Sequence, residues 1–244
     1  MVDIHCHIIF NVDDGSADIE ESAEMASLAQ SGGTDSIIAT PHSNISGSYV
    51  NRWGSELENK IALINKTLEA KGFEIKVYPG QEIFCADNYL QLLRNGQLIT
   101  LNNSQYPLVE FDFNEDAQSV YYKLNSLVSE GYVPIVAHPE RYGFVYEDEN
   151  SATRLKNMGC LLQVNKGSLK GNFGKRAYIC AQRIINRYQV DFIASDAHSP
   201  YMRTPYLEEA YEYVSENYSF DYAQLIFDEN PRAVLNNETV NFLY

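Results

Sequence analysis

Seven short apolar runs, rich in β-branched residues, punctuate the chain at 2–7, 36–40, 75–79, 107–111, 133–137, 161–165 and 191–195. Each has the length of a buried strand rather than of a helix. Between them, apolar residues recur at helical spacing over 18–30, 56–70, 117–130, 174–188 and 205–217. Asp18 with Glu21 three residues on is a weak variant of a capping box, which prefers Ser or Thr at its first position. Regular alternation of strand and helix predicts a parallel sheet, either open and doubly wound or closed into a barrel.

The polar residues that interrupt this pattern decide between the two. His5 and His7 lie in DIHCHIIFNVDDG with Asp14 close behind, His42 follows IIAT, Glu82 follows VYPG, and Glu110 ends PLVE. His138 follows VPIVA, and Asp196 and His198 follow FIAS. These six runs take in all five histidines of the chain. Barrel enzymes place their chemistry at the mouth formed by the C-terminal strand ends, whereas an open sheet gathers ligands from a few strands at one crevice. Six contributing strands need closure, so the pattern predicts an α/β fold: a distorted barrel of about seven βα units.

Alternation on a strand points residues i and i+2 to one face, so His5 and His7 project together. One such pair could be a solvent-facing row. Nine imidazoles and carboxylates at six strand ends read instead as a multinuclear metal centre. Nitrogen and oxygen donors without sulfur suit manganese, iron(II) or zinc better than calcium or magnesium.

A chain of 244 residues, 45% of them hydrophobic, suits one barrel of roughly 250 residues. With no Pro/Gly/Ser-rich linker or repeat, a single domain over 1–244 is expected. No apolar run reaches the roughly 18 residues of a membrane span, and no basic-then-apolar leader opens the chain, so a cytoplasmic location is expected. Cys6, Cys85, Cys160 and Cys180 form no CxxC pair, which argues against a zinc ribbon or a disulfide framework. Alternation turns Cys6 away from its two histidines as a small buried hydrophobe. No CxxxxxR loop cradles a phosphate, so cysteine-based phosphatase chemistry is disfavoured. With 18 basic against 33 acidic residues, the formal charge of −15 supplies no general footprint for nucleic acid. Bound divalent ions would make the site locally electropositive, so the net charge does not forbid a phosphorylated substrate.

Taken together, the HxH, VDDG, TPH, QE, VEF, HPER and SDxH motifs resemble the PHP superfamily, the polymerase and histidinol phosphatase metallohydrolases. Within it the chain closely resembles the manganese-dependent protein-tyrosine phosphatases encoded with bacterial capsule and exopolysaccharide genes, from Met1 to the NPRAVL segment at 230–235. That resemblance implies a trinuclear centre, with Mn2+ or alternatively Fe2+ or Zn2+. His5, His7, Glu82 and Asp196 would hold the first ion, Glu82, Glu110 and His138 the second, and Asp14, His42 and His198 the third. A metal-activated water would then attack phosphorus without a covalent intermediate.

Arg141, Arg203 and Asp196 form the implied catalytic set, the guanidinium groups binding phosphate oxygens. Taken alone, each arginine would read as a surface ion pair. The implied substrate is phosphotyrosine on a bacterial tyrosine autokinase with a C-terminal tyrosine cluster, which regulates polysaccharide synthesis. A small-molecule phosphatase such as histidinol-phosphate phosphatase is the alternative. No nucleic acid partner and no membrane insertion are expected, and homo-oligomers are allowed. A scaffold with a decayed site is disfavoured, because all nine ligand positions are intact. Asn11, where the family often has Asp, and residues 43–47, where it is often basic, bear on substrate affinity rather than on the metals. Phe10, Tyr49 and Trp53 could flank an aromatic ring, although two of the three are expected to pack their loop. Asp13 reads equally as support for a ligand or as a solvated turn residue.

Overall fold

The computed structural model describes residues 1–242. Its strands are β1 (Val2–Cys6), β2 (Ser36–Ala39), β3 (His42–Ser43), β4 (Lys76–Tyr78), β5 (Glu82–Phe84), β6 (Leu108–Glu110), β7 (Ile135–Ala137), β8 (Leu161–Asn165) and β9 (Phe192–Ala194). All pair in parallel, in one ladder of order β1-β2-β4 and a second of order β3-β5-β6-β7-β8-β9. β3 continues β2 beyond Thr40 and Pro41, and β5 continues β4 beyond Pro79, Gly80 and Gln81. Proline cannot donate to a ladder, so both breaks fall where a strand would lose a bond. Nine strands thus make seven staves in chain order.

The last stave returns to the first. Asp196 N donates to His5 O at 2.8 Å and His7 N to Ala197 O at 2.9 Å, closing a distorted seven-stave barrel as the sequence pattern predicts. Helices Ile19–Ser31, Ser55–Ala70, Ala117–Ser129, Gly174–Asn186 and Glu208–Asn217 fill the intervals. The last starts three residues later than its periodicity suggests, after Pro205, Tyr206 and Leu207. Short helices at Tyr89–Arg94 and Ser151–Asn157, and a run of helical turns over 220–235, lack a long enough apolar period to be seen in advance. Asp18 accepts from Glu21 N at 2.9 Å as expected, but Glu21 Oε2 reaches Ala17 N rather than Asp18 N, so half of the capping box forms.

The barrel floor is apolar. Val2, Ile4, Ile38, Leu108, Ile135 and Phe192 pack there as one buried cluster. With Val2 and Ile4 on the floor, strict alternation would turn His5 and His7 outward. The β1–β2 register instead shifts between Asp3 and Cys6, and this bulge changes the parity of the strand. His5 and His7 therefore join the polar mouth, and Cys6 is buried in the separate layer formed with the first two helices, in line with its expected role.

Candidate metal centre

All nine predicted ligand residues converge on the mouth. His5 Nε2 lies 3.3 Å from His7 Nε2. It lies 3.4 Å from Glu82 Oε1 and 3.5 Å from Asp196 Oδ1, and His7 Nε2 is 3.5 Å from both Glu82 Oε2 and Asp196 Oδ1. Donor atoms each roughly 2.1 Å from a shared ion stand about 3 to 3.5 Å apart, so these spacings are those of ligands around a common point. His42 Nε2 and His198 Nε2 are 3.6 and 3.5 Å from Asp14 Oδ1, forming a group with His7. His138 Nε2 is 2.9 Å from Glu82 Oε1 and 3.5 Å from Glu110 Oε1. Two details differ from the grouping that the resemblance implies, the first being that His7 stands with Asp14, His42 and His198 as well as with His5 and Asp196. The second is that His42 is shared, its Nδ1 lying 2.8 Å from Glu82 Oε2 and 3.6 Å from Glu110 Oε2, so it stands with Glu82 and Glu110 as well as with Asp14.

The backbone explains how strand ends deliver these side chains. His138 and Asp196 both adopt left-handed conformations, with φ of 34° and 49°, one residue beyond β7 and two beyond β9. Such values are uncommon for non-glycine residues and turn the chain sharply. Gly15 serves the first loop by close approach. A Cβ there would lie 2.1 Å from His7 O and 2.5 Å from His7 Cβ, so only glycine lets VDDG fold back over β1.

Supporting hydrogen bonds orient the rings. The Asp13 carboxylate is buried and accepts from His7 Nδ1 at 2.7 Å and from His42 N at 2.8 Å, an arrangement that supports a ligand rather than a solvated turn. His5 Nδ1 meets Gln163 Oε1 at 2.8 Å, Gln163 Nε2 donates to Asn165 Oδ1 at 2.8 Å, and Asn165 Nδ2 donates to Asp196 Oδ2 at 2.5 Å. β8 contributes none of the nine residues, yet its two inward amides connect His5 to Asp196. Sequence reasoning passed over Gln163 and Asn165, although their i, i+2 spacing at a strand end was a readable signal.

The electrostatics favour cations. Burial pushes His5 down, but Glu82 and Asp196 outweigh it and raise its pKa to about 9; His42, likewise opposed by burial and raised by Glu82, reaches about 10. Burial and repulsion from Glu82 push Glu110 up to about 8, whereas burial draws His138 down to about 4. Against the effect of burial, His5 and His42 hold Glu82 well below the usual carboxylate range. Three buried atoms that face the other ligands of the site, His42 Nδ1, Glu82 Oε2 and His198 Nε2, have no hydrogen-bond partner among the described residues. His42 Nδ1 and Glu82 Oε2 approach closely without hydrogen-bond geometry. Unpaired buried donors of this kind fit divalent cations of borderline hardness.

Arg203 Nη2 is 2.6 Å and Arg141 Nη1 3.7 Å from Asp196 Oδ2, so both arginines reach the mouth. A cavity of about 300 Å³ opens there, walled by Ile45, Phe84 and Phe113, with Arg141 4.3 Å above the Phe113 ring. Phe113 is a further residue that the sequence did not single out, because apolar residues after a strand usually signal core. Of the three aromatic candidates, Tyr49 stacks on His42 at 5.7 Å and 10°, while Phe10 and Trp53 pack against the core.

Closed βα barrel and N/O-rich mouth define a metallohydrolase-type enzyme. A family model described as "Capsular polysaccharide synthesis, CpsB/CapC" matches residues 1–236, and the chain belongs to that family. It is 35% identical over 240 residues to tyrosine-protein phosphatase YwqE of Bacillus subtilis, covering 98% of this chain and 93% of that one. It is 29% identical over 245 residues to tyrosine-protein phosphatase CpsB of Streptococcus agalactiae, covering 98% and 100%. Among solved structures, one of YwqE from Bacillus subtilis and CpsB from Streptococcus pneumoniae, described as unique metal-dependent tyrosine phosphatases, superposes with a TM-score of 0.92 at 34% identity, covering 100% of this chain and 97% of the other. An organophosphorus hydrolase of Deinococcus radiodurans shares the fold alone, at a TM-score of 0.61 and 13% identity, over 96% and 92% of the two chains.

Proposed function

We propose that this chain is a metal-dependent phosphomonoesterase that releases phosphate from protein phosphotyrosine, acting in the cytoplasm on a bacterial tyrosine autokinase that governs capsular or exopolysaccharide synthesis. On this reading, one metallophosphatase domain spans the chain. Three Mn2+ ions would be held by His5, His7, Asp14, His42, Glu82, Glu110, His138, Asp196 and His198. The observation that carries it is the convergence of these nine side chains with Arg141 and Arg203 on one mouth, in a backbone matching the described metal-dependent tyrosine phosphatases.

When bound, the ions supply a water of lowered pKa as nucleophile. The rest falls to the chain. Arg141 and Arg203, permanently charged planar forks, hold the non-bridging phosphate oxygens. Ile45, Phe84 and Phe113 flank the aryl ring and exclude water from around it. Asp13 and Gln163 keep Nε2 of His7 and His5 turned inward by accepting from Nδ1. A phenolate leaving group, with a pKa of about 10, needs less protonation than an alkoxide, so no dedicated general acid is required.

The test is hydrolysis of a phosphotyrosine peptide and of histidinol phosphate by chelator-stripped protein, with and without Mn2+, alongside His138→Ala. Manganese-dependent release from the peptide that is lost in the variant is expected. Preference for histidinol phosphate would replace the substrate, and inactivity on every aryl phosphate would refute the reading.

A further inference from the structure

A second cavity opens beside the mouth and exceeds it in size, at about 680 Å³ against 300 Å³. Arg203 lines both, so the two spaces share a wall. On the far side of that wall, the apolar surface comes from Phe173, Met202 and Tyr206, and the polar surface includes Lys166 and Lys170. Gly167 lets the Phe173 ring close in, since a Cβ there would meet Phe173 Cε2 at 2.8 Å. Phe173 also lies beneath both active-site arginines, 4.8 Å from the Arg141 guanidinium and 5.4 Å from that of Arg203.

The cations of this cavity are not equally engaged. Lys170 is paired with Glu209, and Arg203 with Asp196. Among the described residues, Lys166 Nζ meets only two neutral oxygens, Thr204 Oγ1 at 3.3 Å and the Tyr206 carbonyl. Burial draws its pKa down to about 8 against the opposing pull of Asp3 and Glu209, neither of which is in contact with it. A half-buried cation facing a roomy cavity gains most from an anion that enters with its own apolar cover. In an extended peptide, side chains two positions apart lie on one side and about 7 Å from each other. A phosphotyrosine seated in the mouth would therefore pass its neighbour across Arg203 into this cavity.

We propose that the cavity is a specificity subsite that receives an acidic residue flanking the phosphotyrosine of the protein substrate, with Lys166 as its ionic partner and Phe173 and Met202 as its apolar wall. The proposal rests on the phosphatase reading above. It predicts that the protein prefers phosphopeptides with Glu near the phosphotyrosine over the same peptides with Gln.

The test measures kcat/KM of the manganese-loaded protein on a Glu-flanked phosphotyrosine peptide, its Gln counterpart and phenyl phosphate, each peptide expressed as a ratio to phenyl phosphate. The natural protein is expected to favour the Glu peptide by about twofold to fivefold, through KM, as for one partly screened ion pair. Lys166→Met should bring the two peptides to equality. Met202→Glu, a change at an exposed position that leaves the Lys166 contacts in place, should reverse the preference. Equal ratios in the natural protein would overturn the subsite alone. So would a Lys166→Met variant that loses activity on all three substrates alike, because Lys166 would then only tie down the 204–206 segment. No release from any of the three would overturn the phosphatase reading, and the subsite with it.

Discussion

Asp13 Oδ2 lies 2.7 Å from His7 Nδ1, and the same oxygen accepts the backbone N–H of His42 at 2.8 Å. One carboxylate thus fixes a ring from the first stave and the backbone of the second. The arrangement leaves His7 Nε2 facing Glu82 and Asp196. Asp13→Asn can keep its one oxygen on both of these donors, but it turns an amide N–H towards Gly15 N, which the other carboxylate oxygen accepts at 2.9 Å, and it removes the negative charge behind the His7 ring. Metal affinity, followed by titration of stripped protein, should fall roughly 10-fold to 100-fold, while the unfolding midpoint of the metal-free protein changes little. Unchanged affinity would reduce Asp13 to a turn residue.

Gln163→Leu removes the middle of the amide chain between His5 and Asp196. It strands His5 Nδ1 and Asn165 Oδ1 in a buried site, at a cost of about 1–3 kcal/mol per unpaired group. Chemical denaturation of the stripped protein should show this loss. A stability equal to that of the natural protein would mean that water replaces the amide.

Gly15→Ala should be more damaging than an ordinary loop substitution, because the obstructing atoms are the backbone oxygen and Cβ of His7. Relief requires the VDDG loop to lift and carry Asp13 and Asp14 away. We expect loss of high-affinity metal binding and of about 2 kcal/mol or more of stability, measured by calorimetry. Near-natural behaviour would show that the loop closes by another path.

Metal binding should release protons. At pH 7, His5 at about 9, His42 at about 10 and Glu110 at about 8 all retain protons that a cation must displace. Titration calorimetry in buffers of different ionisation enthalpy should report roughly two to three protons released, with affinity rising between pH 7 and pH 9. In the metal-free protein the sign is opposite. Folded-state values raised above the unfolded 6.5 contribute stability fully present below about 6.5 and lost as pH rises through about 9 and 10, so the melting temperature should fall over that interval. A buffer-independent binding enthalpy would contradict both expectations.

Arg203→Lys keeps the charge and loses the planar fork that reaches Asp196 and the mouth. A decrease in kcat/KM of roughly 10-fold to 100-fold on a phosphotyrosine peptide is expected, with metal content unchanged. Full activity would assign Arg203 to holding Asp196 alone.

The sequence by itself determined the seven staves, most of the surrounding helices and the residues that meet at the mouth. Both signals are local: apolar runs set strand length, and carboxylates or imidazoles at their ends stand out because such groups are rarely left in a core unpaired. It also marked Cys6 as a small buried hydrophobe. Only the tertiary structure decided how His5 and His7 share a mouth with the barrel whose floor holds Val2 and Ile4, since that depends on a register shift against β2 that no pattern along β1 reveals. It likewise decided that Asp13 supports His7, that Gln163 and Asn165 link His5 to Asp196, and that Phe113 walls the mouth. The physical reason is common to all of them. A hydrogen bond or a ring contact between distant residues exists only after the barrel has closed, and neither leaves a periodic trace in the chain.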